Sequence, residues 1–370
     1  MLKSLMTFLL IGFSATLAFA QRARTISAPT LTPQTSGTTQ LLIAVSPVSA
    51  NVVWAAGTGG TFVVTTDGGN TWKAGVVPSA KNLQFRDVQG VSDKVAYLMA
   101  IGNDAPSFRI YKTEDGGATW TRQFQNELKG AFYDCFAFWT PERGITHSDS
   151  VNGVFPAIRT TNGTTWESIA ANMPPALPGE ASFSASGTCI ATEGLNNAWI
   201  TTGGSTIARI LATTDGGNTW NAYDTPLVSN PSAGGVSVAF RDSQNGILAG
   251  GDLSNNSSAE VATSSDGGQT WTLTPTPPVS GAIFCLALVP GNPHGPNGYD
   301  GQPPSPYDQA VVVTSEAEPD YDSGDGAWSP DNGQTWYALP GVSGYWAVAF
   351  ANPHAGWFVG NNGQILKISF

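Results

Sequence analysis

The sequence predicts an all-β fold: a seven-bladed β-propeller of four-stranded blades, closed by an N-terminal strand that completes the C-terminal blade. Three observations carry this. A phrase of the form Ser/Thr-x-Asp-x-Gly-x-Thr-Trp returns at intervals of roughly fifty residues, the period of a blade array. Gly (43) and Pro (25) are abundant while charged residues are only 12%, which suits short strands and tight turns rather than helices. The last repeat unit also lacks a fourth strand, and an unassigned segment near the N-terminus can supply it.

The repeats come in order. The phrase reads Thr65-Thr66-Asp67-Gly68-Gly69-Asn70-Thr71-Trp72 at its first appearance and returns at Thr113–Trp120, Thr213–Trp220, Ser264–Trp271 and Ser329–Trp336. A shortened copy, Thr160–Trp166, carries Asn162 in place of Asp. Strand-like runs at Leu41–Val45, Val52–Ala56, Phe62–Val64 and Trp72–Ala74 define strands A to D of unit one, with the phrase in the C–D turn. Further units run over Leu83–Phe124, Phe132–Ala170, Phe183–Tyr223, Val236–Thr274 and Ala282–Leu339. The stretch Tyr345–Phe370 holds strands A, B and C only. Residues 24–39 are therefore expected to add its outer strand, since an open sheet edge invites pairing with other chains. Pro29 and Pro33 suit an outermost strand, where a missing N–H is tolerated. The length would allow two domains, but the unbroken repeat argues for one, over residues 21–370.

Within the phrase, the Asp carboxylate can accept bonds from turn N–H groups and Gly relieves positive φ. The Trp can fill the wedge between blades. Asp67, Asp115, Asp215, Asp266 and Asp331 are thus read as structural carboxylates.

Residues 1–20 read as a secretory signal: Lys3, an apolar run from Leu5 to Ala18, and Ala18-Phe19-Ala20 as a small-x-small site cleaved after Ala20. The apolar run is short for a membrane span. The expected location is periplasmic or extracellular, with no span after signal removal. Without Lys3 the chain keeps 15 basic against 27 acidic residues, a net charge of −12. No basic patch exists, so nucleic acid is not an expected partner. Cys135, Cys189 and Cys285 lie in apolar strands. An odd count cannot be fully paired, and all three are expected as small, buried, reduced side chains.

The repeated phrases resemble the Asp-box, or BNR repeat, of sialidases, xyloglucan hydrolases, sortilin-type receptors and photosystem II assembly factors. Five copies match every fixed position, and the frame covers most of the chain. The one-domain layout looks most like the photosystem II assembly factor group and its relatives in bacteria that do not photosynthesise. The resemblance implies a seven-bladed binding scaffold. In enzymes with such boxes the chemistry lies on the face away from them, the face of the B–C and D–A loops.

That face is expected to carry Asp104, Asp149, Glu180, Trp199, Asp252 and Glu316 as ligand-binding candidates. Arg86, Arg143 and Arg241 are placed beside A–B turns on the box face, and Arg109, Arg159 and Arg209 on C strands leading into boxes. No arginine triad for a substrate carboxylate can be assembled from them, which argues against a sialidase. Phe108-Arg109-Ile110-Tyr111 lacks the Pro of the sialidase motif. A carboxylate-pair glycoside hydrolase or lyase remains the alternative to a non-catalytic scaffold binding a protein, small molecule or carbohydrate. Asp320, Asp322 and Asp325 in the acidic loop 316–326 offer oxygen ligands of the kind Ca²⁺ prefers, one residue out of the usual spacing. The Pro/Gly-rich insertion Pro290–Asp308, with His294, Tyr299 and Tyr307, has the length of a functional or disordered loop. His147, His294 and His354 have no zinc spacing, and no nucleotide-binding motif is present, so no organic cofactor is expected. The chain is expected to act as a monomer.

Overall fold

A computed structural model describes residues 27–102, 104–255, 258–291, 307–315 and 325–370. The chain opens with β1 (Thr30–Thr35). Blade one is β2 (Leu42–Pro47), β3 (Val53–Gly57), β4 (Thr61–Thr65) and β5 (Lys73–Val76). Blade two is β6 (Gln84–Gly90), β7 (Ala96–Ile101), β8 (Arg109–Thr113) and β9 (Thr121–Gln125). Blade three is β10 (Tyr133–Thr140), β11 (Arg143–Ser148), β12 (Ala157–Thr160) and β13 (Glu167–Ser168). Blade four is β14 (Ile190–Glu193), β15 (Asn197–Thr201), β16 (Arg209–Thr213) and β17 (Asn221–Asp224). Blade five is β18 (Ala233–Phe240), β19 (Gly246–Asp252), β20 (Glu260–Ser264) and β21 (Thr272–Leu273). Blade six is β22 (Ile283–Leu288), β23 (Val311–Ser315), β24 (Asp325–Ser329) and β25 (Tyr337–Ser343). Blade seven holds β26 (Tyr345–Asn352), β27 (Ala355–Gly360) and β28 (Gln364–Ser369), completed by β1.

All seven sheets are antiparallel; six run in chain order from the axis outward, and in the seventh β1 lies outside β28. Strand β1 pairs with β28 from Thr30↔Ser369 to Thr35↔Gln364, with Pro33 opposite Leu366 on the free edge, as the sequence predicts. Side chains bind the closure. Gln34 Oε1 accepts from the indole N–H of Trp72 in blade one (3.1 Å) and of Trp357 in blade seven (3.2 Å).

The recurring phrase does local work in each C–D turn. Thr65 Oγ1 donates to Asp67 Oδ1 (2.8 Å) and accepts from Gly69 N (3.0 Å). Asp67 then accepts from Thr71 N (2.9 Å) and Thr71 Oγ1 (2.6 Å). Asp115, Asp215 and Asp266 repeat this pattern. The hydroxyl of Thr71 and the other turn donors hold the Asp67 carboxyl down to about 2. In the Asn162 copy the amide oxygen takes the carboxylate's part and accepts from the N–H groups of Thr164 and Thr165 (both 2.9 Å). The tryptophans wedge between blades: Trp120 meets Phe62 and Trp54 of blade one edge-on, with ring centres 5.1 and 6.2 Å apart.

The innermost strands carry a second repeat that the phrase does not announce. Six of the seven slip register near their start, between Leu42/Ala44, Phe85/Asp87, Tyr133/Cys135, Gly235/Ser237, Ile283/Cys285 and Tyr345/Ala347. Each bulge leaves one residue unpaired and re-aims its side chain. Those residues are Ile43, Arg86, Asp134, Val236, Phe284 and Trp346, and they meet around the axis. The next residue in each strand is small and faces the neighbouring blade. There Asp87 accepts from Phe136 N (2.9 Å), Ser237 from Leu286 N (2.9 Å) and Cys285 from Val348 N (3.4 Å).

This second repeat explains the cysteines. Cys135, on the inner strand of blade three, and Cys189, just before the inner strand of blade four, have their Cα atoms 5.9 Å apart and are joined as a disulfide. The expectation of three reduced thiols is therefore corrected. Cys285 is free and buried because its counterparts on the adjoining blades are Ser237 and Ala347, which carry no thiol. Blade four is the exception to the bulge rule. Its inner strand begins only at Ile190, not near Phe183 as the repeat suggests. The preceding segment instead turns in to the axis, where Ser186 Oγ donates to Phe284 O (2.6 Å) and Ala185 O accepts from Arg86 Nη1 (3.2 Å). Gly187 makes this possible: its φ is +76°, and a Cβ there would lie 2.6 Å from the Asp87 carboxyl.

Candidate ligand-binding site at the central mouth

Strand direction puts the starts of the inner strands, the B–C loops and the D–A loops on one face, opposite the repeat turns. At its centre lies a cavity of about 340 Å³. Its walls include Phe132, Phe183, Phe284 and Trp346, and its polar groups are Arg86, Asp134, Asp149, Ser182 and Ser184. Below it Ile43, Ala185, Val236, Phe284 and Trp346 pack together across the axis. A concave mouth with aromatic walls and convergent polar groups, here in about equal share, is a form ligand sites take.

Asp134 is 1% exposed, and neither of its oxygens has a hydrogen-bond donor. Its neighbour is the carboxyl of Asp149, just past the end of β11. Asp149 Oδ1 accepts from Ser182 N (2.9 Å). Burial pushes the Asp149 carboxyl up to about 6, with the Ser182 N–H opposing. Burial and then the Asp149 charge push Asp134 well above the ordinary carboxylate range, and Arg86 pulls the other way. The two groups titrate as a pair, and one shared proton gives the otherwise unpartnered oxygens a bond. Arg86 is steadied by Ala185 O and by the ring of Trp346, 5.3 Å from its guanidinium.

The described residues of the mouth do not form a hydrolytic pair. Asp134 and Asp149 act on each other directly and titrate as a pair, whereas the two acids of a glycosidase stand apart on either side of the scissile bond. His147 Nε2 lies 2.7 Å from Ser182 Oγ, but that hydroxyl donates to Thr201 O (2.7 Å). The imidazole must therefore donate to Ser182, the reverse of a base activating a nucleophile. Its full burial, which holds it down to about 3, keeps the ring neutral.

The predicted candidates scatter. Asp149 lines the mouth. Asp104 lies on the rim of blade two, paired with Ser107 Oγ, beside a separate depression of about 560 Å³. Glu180 is 1% exposed and fully engaged, by Arg209 Nε (2.9 Å), Thr202 Oγ1 (2.7 Å) and Leu177 N (2.7 Å). Asp252 is tied down by Ser254 N (2.9 Å), Ser232 Oγ (2.8 Å) and Asn230 Nδ2 (3.1 Å), and its carboxyl is held well below the usual range, chiefly by Ser254. Trp199 is a correction: it is 1% exposed, stacks on Phe240 with ring centres 3.5 Å apart, and donates to Gly267 O in the next blade's repeat turn. Its side belongs to the box face and to blade packing. Arg86 is a second correction. It sits at the bulge of β6, on the mouth, not beside an A–B turn. Arg109 and Arg209 begin their strands on that same face, bonded to Ser79 O (3.1 Å) and to Glu180. Glu316, Asp320, Asp322, His294 and Tyr299 lie outside the described residues. Asp325 accepts from Ser280 N (3.3 Å). Among the described residues no cluster of His, Cys, Asp or Glu is placed to hold a metal ion.

Solved structures of similar shape put this geometry in context. The chain is similar to YCF48 bound to D1 peptide, at TM-score 0.60 and 15% identity, covering 93% of this chain and 98% of that one. It is similar to YCF48 from Cyanidioschyzon merolae at TM-score 0.62 and 16% identity, over 92% and 98%. The likeness is to a fold. YCF48 is a photosystem II assembly factor. A GH74 xyloglucanase from Xanthomonas campestris matches at TM-score 0.59 and 13% identity, over 91% of this chain and 53% of the enzyme. That similarity likewise concerns propeller architecture and does not favour a hydrolase. No protein-family model matches the chain, and no curated relative does.

Proposed function

We propose that this propeller is an exported, non-catalytic scaffold that binds a segment of another protein at its central mouth. The observation that carries the reading is the cavity itself. Aromatic walls and the donorless carboxylate of Asp134 converge on it, and among the described residues it holds no pair of acids set apart across the cavity. The solved complex of YCF48 with a D1 peptide supports peptide binding as something this fold accommodates. Two features support export: the signal-like residues 1–20, and the Cys135–Cys189 disulfide, since such bonds persist in oxidising compartments.

The test is selection of displayed random peptides on the purified protein. Enriched peptides are expected to lose binding to Ser184→Trp, which places a bulky ring on the cavity wall. Equal binding to that variant would put the site elsewhere. Turnover of any polysaccharide in a panel, abolished by Asp149→Asn, would sink the non-catalytic reading.

A further inference from the structure

The central cavity holds two carboxyl groups and, among its described lining residues, a single cation, Arg86. Arg86 is already engaged by Ala185 O and Trp346. Asp134 receives no hydrogen bond at all, although it is 1% exposed and lines the cavity. A buried carboxylate without a donor is costly and is relieved by a proton or by a cation that brings donors. When both carboxylates are ionised, the one guanidinium leaves one negative charge uncompensated; the shared proton or a bound cation removes it. The same walls present Phe183, Phe284 and Trp346, whose ring faces attract organic cations.

We infer that the Asp134–Asp149 pair is a recognition pocket for an organic cation, the ammonium of a lysine or the guanidinium of an arginine carried by the bound segment. The cation takes the place of the shared proton, donates to the orphaned oxygens of Asp134 and lies against the aromatic wall. Position on the inner strands supports the assignment. Asp134 occupies a bulge position whose counterparts are Ile43, Val236, Phe284 and Trp346 in blades one, five, six and seven, and Arg86, the one cation of the cavity's described lining, in blade two. Packing alone would place an apolar residue there.

The inference rests on the peptide-binding reading, and its test is chosen to separate the two. Acetylated, amidated pentapeptides Gly-Ser-X-Ser-Gly, with X as lysine, arginine, norleucine or glutamate, are titrated into the purified protein at pH 8 and followed by saturation-transfer NMR. Methylguanidinium and n-butylammonium serve as free-cation probes. Lysine or arginine peptides should bind about tenfold or more tighter than norleucine, the scale of a charge-assisted hydrogen bond. Asp149→Asn and Asp134→Asn should each erase that preference. If Asp134→Asn fails to fold by circular dichroism, Asp149→Asn carries the test. Equal binding of norleucine, a preference surviving Asp149→Asn, or no binding of any cationic probe overturns the inference. If the free cations bind as well as the peptides, the pocket serves small amines and the protein-segment source is wrong. Selected peptides that compete at the mouth without any preference for a cation would refute this inference and leave the peptide-binding reading standing.

Discussion

Asp134 and Asp149 show how one residue's chemistry is set by its neighbours. Asp149 titrates near 6 in the fold against 3.8 for an ordinary aspartate. The folded state therefore holds this proton more tightly than the unfolded chain does. Asp149's contribution favours the fold below pH 3.8 and is withdrawn as pH rises through about 6. Asp149→Asn, neutral throughout and still able to accept from Ser182 N, should raise stability at pH 8 by roughly 2 kcal/mol. The gap should close by pH 4. Urea unfolding of both proteins across that range checks it, and a gap independent of pH would be inconsistent with the raised carboxyl. His147 acts in the opposite direction and identically in both proteins. Its proton uptake on unfolding withdraws stability as pH falls from 6.5 towards 3, so it cancels in the difference, which reports the Asp134–Asp149 pair because the Asp149 charge also raises Asp134. The signal for this pair was present in the sequence as an acid inside an apolar run, Phe132-Tyr133-Asp134-Cys135-Phe136. Alternation does not single out Asp134, because it gives side-chain direction only while register is regular, and the bulge between Tyr133 and Cys135 breaks it.

At the scale of elements, the inner strand of blade four and the segment before it depend on a covalent tie. Cys135 and Cys189 are 54 residues apart, and a crosslink over such a loop stabilises by up to about 4 kcal/mol on chain-entropy grounds. Replacing both cysteines by alanine should lower stability by a few kcal/mol. It should also raise amide exchange over residues 181–189 before the other blades respond. Thiol titration of the unfolded, unreduced protein should find one reactive group, Cys285; three would show that the bridge does not form. The sequence made the outer turns legible because the Asp-Gly-Thr-Trp chemistry is local, each bond spanning four residues or fewer. The disulfide and the inward segment were not legible. Both depend on which inner strands become neighbours in the ring, and on Gly187 adopting a positive φ that no motif flags.

At the scale of the molecule, closure rests on a seam where β1 joins β28 and Gln34 serves blades seven and one together. Gln34→Ala would leave two partly buried indole N–H groups without their acceptor, at a cost of about 2 kcal/mol. Chemical denaturation should show that loss, and Trp72→Phe combined with it should cost less than the sum of the two single changes. Additive losses would mean the seam is held by β1 pairing alone. The seam was readable in advance because a ring must close and the last unit lacked a strand. The mouth was not, since it exists only where seven inner strands point at one axis. The apolar cluster beneath that mouth, formed by Ile43, Ala185, Val236, Phe284 and Trp346, makes the cavity a blind alley rather than a tunnel. A partner cannot be threaded through the disc. It must present a tip or a bend, enter head-first and leave by the same opening, so a long chain and a short one meet the same floor.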